Sequence, residues 1–67
     1  MNNNDFKEWL LSVGCNSAID GYFSHRKGYS IIVEKANANA IVKENTNYIP
    51  LHSGSFDSCK QYLEGVL

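Results

Sequence analysis

The chain has 67 residues, 43% of them hydrophobic and 19% charged, with six Lys and Arg against seven Asp and Glu. A domain of this size buries only about 60% of the surface its unfolded form exposes, so a disulfide, a structural metal or self-association is the usual supplement. The net charge of −1 and the scattered cations argue against a clustered nucleic-acid footprint, and the equally dispersed acids argue against a DNA mimic; the longest apolar runs, such as Ile31-Ile32-Val33, are far too short to cross a bilayer.

Asp5-Phe6-Lys7-Glu8 fits a capping box. Phe6, Trp9, Leu10 and Val13 then fall on one face of a helix, and Gly14 stands where a helix C-terminus calls for positive φ. Residues 15–21 mix turn formers with two apolar residues and read as a loop or a single helical turn. Tyr22 to His25 reads as a strand, and Arg26-Lys27-Gly28 as a hairpin turn. Tyr29 to Lys35 is the strongest strand, with Tyr29, Ile31 and Val33 on one side and Ser30, Ile32 and Glu34 on the other. Ile32 on the more polar side marks this strand as central.

Residues 36–39 read as a turn, Ala40 to Glu44 as a strand and Asn45-Thr46 as another turn. Asn47 to Leu51 reads as a further strand whose Pro50 has no N–H for a ladder and so belongs at an edge or a strand end. Ser53-Gly54-Ser55 opens the last helix, with Ser55 as N-cap, Asp57 in the first turn, Phe56, Cys59, Tyr62 and Leu63 inward, and Gly65 at its end. The fold class is α+β: a small two-layer α-β-β-β(β)-α domain whose antiparallel sheet carries both helices on one face.

The candidate chemistry is sparse. Cys15, His25, His52 and Cys59 are separated by ten, twenty-seven and seven positions, unlike the short ligand spacing of structural zinc, so no metal and no cofactor is expected. Cys59 on an apolar helix face and Cys15 after a helix C-terminus are poorly placed to ionise as nucleophiles. The acids serve caps or solvated surface, and no glycine precedes a phosphate-loop Lys-Ser/Thr. An enzyme is therefore not expected.

Tyr22-Phe23-Ser24-His25-Arg26-Lys27-Gly28-Tyr29 is the densest polar and aromatic stretch. Tyr22, His25, Arg26, Lys27 and Tyr29 combine rings with cations, which suits a base and a phosphate, although an ordinary solvated hairpin tip has the same composition. His52, Ser53 and Ser55 before the last helix offer a second anion site or simple capping. Tyr48, Pro50 and Leu51 suggest an exposed edge that would recruit another chain, and with the small size this leads to an expected homodimer.

Tyr48-Ile49-Pro50-Leu51, followed by Ser55-Phe56-Asp57-Ser58-Cys59-Lys60-Gln61-Tyr62-Leu63 as a capped helix, resembles the ending of many small α/β proteins of bacteriophages and mobile elements. Eight asparagines in 67 residues are compatible with that origin. The resemblance implies a non-catalytic protein of the host-cell cytoplasm that blocks a host protein, such as a defence component, or soaks up a host signalling molecule. Independently, two cysteines and opening residues with no basic segment ahead of an apolar one lead to the expectation of an intracellular protein with reduced thiols, and the expected partner is a host protein or a small phosphorylated ligand. The leading expectation is occlusion of a host protein, the alternative is a sponge for a nucleotide-like ligand, and a weak nucleic-acid binder comes third.

Overall fold

Four Asx residues stand at positions 2–5, and each is a potential helix cap. In the computed structural model, which describes residues 1–67, the earliest one serves: Asn2 accepts from the Asp5 backbone N–H at 2.8 Å, and α1 spans Asn3–Ser12. Asp5 is therefore not the cap expected from the capping-box pattern but a first-turn acid, where its charge suits the helix dipole.

The C-terminal end of α1 follows the expected chemistry. Gly14 adopts φ +99°, its N–H donates to Leu11 O at 3.2 Å, and the Cys15 N–H donates to Leu10 O at 3.0 Å. These two bonds are a Schellman motif, which ordinarily brings the second residue past the cap against the last turn's apolar side chain. Cys15 and Leu10 do share the core.

Five antiparallel strands follow in meander order: β1 (Asn16–Ile19), β2 (Tyr22–His25), β3 (Tyr29–Glu34), β4 (Asn39–Glu44) and β5 (Pro50–Ser55). β3 is central, as Ile32 indicated. β1 corrects the loop reading of residues 15–21, and β5 begins at Pro50, where a strand had been expected to be ending. The reason is the same at both sheet edges: neighbouring strands supply the pairing that local β propensity does not. Pro50 stays tolerable because it opens an edge strand.

Antiparallel register fixes which residues share a side. Phe23, Ile31, Val42 and His52 form one cross-strand row, with Val33, Ala40 and Gly54 in the next row on that side. Against this side pack α1 and α2 (Phe56–Val66), so both helices lie on one face. Phe6 of α1 stacks on Phe56 of α2 with centroids 4.8 Å apart, in one core with Phe23, Ile31, Val42 and Leu63. Ser55 caps α2 by accepting from the Ser58 N–H at 3.1 Å, and the helix continues through Gly65 to Val66 instead of ending at the glycine. No helix is long and apolar enough to cross a membrane.

The turn between β3 and β4 is a 3-10 turn, Lys35–Asn37, closed by Ala38 at φ +52°. An alanine in the left-handed region costs about 1 kcal/mol or more, whereas glycine adopts it freely at a smaller entropic cost. Ala38→Gly is therefore expected to stabilise the fold by about 0.5 kcal/mol, read as a higher urea midpoint at unchanged slope.

Candidate functional site

The hairpin tip does not present the cationic cluster that the sequence suggested. His25 is buried, accepting at Nδ1 from the Lys27 N–H at 3.1 Å, while Nε2 meets Val13 O at 2.9 Å. An imidazole that accepts at Nδ1 carries its proton on Nε2 and donates it to that carbonyl, so His25 is a tie between the β2–β3 turn and the end of α1. Gly14 beside it is held to glycine by its φ of +99°, not by space, since a Cβ there would make only a 3.4 Å contact with His25 Nε2. Lys27 donates to the Leu67 main-chain oxygen at 2.5 Å. Arg26 is exposed without a side-chain partner, and Tyr29 is half-buried on the helix side.

Tyr22 lies on the opposite side of the sheet. Its hydroxyl donates to Ser30 Oγ at 3.1 Å, and Ser30 donates onward to Asn45 Oδ1. The chain of bonds accounts for a fully buried serine on the face without helices.

His52, Ser53 and Ser55 do not join the hairpin tip. Ser55 lies in the Glu34 row, five residues along β3 from Tyr29 or about 17 Å, while His52 lies in the Ile31 row on β5, three strand spacings or about 14 Å across the sheet from β2. His52 Nε2 and Ser58 Oγ are 2.7 Å apart, and the His52 ring stacks on Tyr62 at 5.0 Å. A serine and a histidine at this distance have the geometry of a nucleophile and a base, but no group holds Nδ1 as an orienting third member. The stack and the hydrogen bond fasten β5 to α2. Ser53 is exposed on the opposite side, and Ser55 is spent on the cap.

The most exposed apolar segment lies between β4 and β5. Tyr48 is 94% exposed, Ile49 71% and Leu51 40%, with Pro50 exposed between them. Asn47 Oδ1 accepts from the Ile49 N–H at 3.0 Å, an Asx turn that sets the direction of the chain. The Asn47 N–H donates to Glu44 O at 3.3 Å and the Asn45 N–H to Gly28 O at 2.9 Å. Lys43 Nζ stands 6.0 Å from the Tyr48 ring centroid and donates to the Glu44 and Asn45 carbonyls. Two large apolar side chains are thus held out in water on a braced turn. Tyr48, Pro50 and Leu51 are exposed as expected, but Tyr48 stands in the loop ahead of β5 and not on the expected edge strand; Ile49 was missed because it looked like an ordinary strand residue.

A small open pocket of about 80 Å³ lies elsewhere, at the start of α1. Asn3, Asn4, Lys7 and Lys35 supply its polar lining. Asp20 also lines it and makes a bidentate pair with Lys35, both contacts 2.7 Å. The hydrogen bond and charge of Lys35 hold the Asp20 carboxyl below the usual carboxylate range. Sequence reading did not find this place, because Lys7, Asp20 and Lys35 converge only through the β1–β2 and β3–β4 turns.

Both thiols are free and buried. Burial raises both Cys15 and Cys59, and the Cys59 thiol donates to the Ala40 and Gly54 carbonyls, 3.3 and 3.6 Å from its sulfur. The unfolded chain therefore ionises first as pH rises, so this contribution to stability is whole below the ordinary thiol range and fades above it. At neutral pH the native protein should react slowly with a thiol–disulfide reagent and titrate both cysteines only in denaturant; a fast native equivalent would place a thiol at the surface. Compared with models of protein families, with curated proteins and with solved structures, the chain matches none.

Proposed function

We propose that this chain is a small non-catalytic binding protein that occludes a protein partner with its β4–β5 loop. The observation that carries the reading is the braced turn that holds Tyr48 almost fully, and Ile49 for the greater part, in water. Isolated exposed hydrophobic residues are ordinary, but an aromatic and an aliphatic side chain adjacent on an ordered turn resemble the anchors that carry most of the binding energy at protein interfaces. Bracing lowers the entropy lost on docking. The resemblance of the final strand and helix to small bacteriophage and mobile-element proteins supports a host protein as the partner, met in the host cytoplasm.

Truncating an anchor of this kind costs a complex about 2 kcal/mol, or about 30-fold in affinity. Tyr48→Ala and Ile49→Ala should each weaken capture of a saturable protein partner by that factor while leaving the melting temperature within about 2 °C of the parent. Capture unaffected by both substitutions would move the working surface elsewhere.

A second reading is sequestration of a phosphorylated small molecule, and the pocket beside Lys7 and Lys35 is the observation that favours it. Its size decides against a whole nucleotide. Ligand sites enclose about 300 Å³ or more, against about 80 Å³ here, and Asp20 already neutralises Lys35. A thermal-shift series with nucleotides and cyclic nucleotides at millimolar concentration should leave the melting temperature unmoved; a rise of several degrees would favour sequestration over occlusion.

A further inference from the structure

The sheet face turned away from the helices carries an apolar line, where an uncovered antiparallel face is ordinarily polar. Ile19, Tyr22, Ile32 and Ile41 lie directly opposite one another on β1 to β4, and the row ends at Ser53 on β5. Ile19 is 68% exposed, and the other three are half-buried. The rows on either side are polar and carry opposite charge. Lys43 shares a row with Ser24 and Ser30, whereas Glu34 shares one with Asn39 and Ser55.

This pattern is complementary to itself. A twofold axis along the apolar line sets the Lys43 row of one copy over the Glu34 row of a second and, by symmetry, the reverse. Ile32 and Ile41 then meet their own equivalents. An axis parallel to the strands would set like rows on like rows, cation on cation and acid on acid. Charge therefore selects the first arrangement.

We propose that this face is the interface of a homodimer, packed sheet on sheet about a twofold axis that follows the line of Ile19, Tyr22, Ile32 and Ile41. Strands about 4.8 Å apart, with β3 to β5 about 20 Å long and β1 and β2 about 13 Å, present about 400 Å² per copy, about 800 Å² in all, the small end of the scale where interfaces are weak and transient. The dimer is therefore a weak one, with a dissociation constant in the micromolar range or above. Edge pairing through β5 is the poorer route. Pro50 has no N–H, the Gly54 carbonyl faces Cys59, and Ser55 passes straight into α2, which leaves few groups for a ladder. The inference uses none of the β4–β5 loop side chains and shares with the occlusion reading only Lys43, which also stands over Tyr48.

Sedimentation equilibrium of the full chain from about 5 μM to about 1 mM should give a monomer–dimer equilibrium. Ile41→Glu, on the uncovered face, should abolish the dimer at every concentration with the circular-dichroism melt retained. Lys43→Glu and Glu34→Lys should each weaken the dimer about tenfold, and combining them should restore it to within about threefold, because the exchanged charges face each other again. A monomer throughout, a dimer indifferent to Ile41→Glu, or a double exchange that fails to rescue would each overturn the proposal.

Discussion

Phe6 and Phe56 come from opposite ends of the chain, and their stack at 4.8 Å joins the two helices within the single core. Both rings are buried, and neither helix is long enough to be stable alone. Because the helices pair with each other on one side of the sheet, no element is left for the other side. The same constraint that closes the core leaves five strands with an uncovered face. Ser30 shows how the chain manages it: a serine in the middle of that face is sealed by Tyr22 and Asn45 instead of by a helix.

The elements that the sequence made legible are those whose local chemistry and tertiary packing agree. Phe6 and Leu10, Phe56, Cys59 and Leu63 fall on the helical faces their spacing implies, Gly14 and Gly28 take positive φ, and Ser55 caps α2. What escaped was formed by neighbours. Asn16–Ile19 contains one β-branched residue and is exposed throughout, so only pairing with β2 makes it a strand. Pro50–Ser55 contains proline, glycine and two serines, yet β4 and α2 hold it extended. At the N-terminus, four adjacent Asx residues made the cap ambiguous by chemistry alone.

The surfaces were legible in unequal measure. Exposure of Tyr48 and Leu51 followed from the Pro50 edge argument, but their ordering depends on Asn47 and Lys43, which act through the turn's folded shape. His25 looked like part of a cationic tip and is instead a buried tie, because a histidine beside a turn can satisfy both ring nitrogens on backbone groups. The apolar line across the open face needs register, and a slip of one residue in any strand would turn that strand's member of it to the helix side. Ile32 alone hinted at it, and one residue signals a central strand before it signals a row.

Lys43 belongs to both proposed surfaces, and that makes them dependent on one another. Its ammonium now stands over Tyr48 and bonds the Glu44 and Asn45 carbonyls, while its row borders the apolar line. In the proposed dimer that charge is drawn toward Glu34 of the second copy and away from the loop. Exposed cation–π contacts are worth about 0.5–1 kcal/mol, so the exchange can loosen Tyr48 without unfolding the turn, which Asn47 still braces. Self-association would then set how rigidly the loop meets a partner, and partner binding would weaken or strengthen the dimer by the same factor, since such coupling is reciprocal.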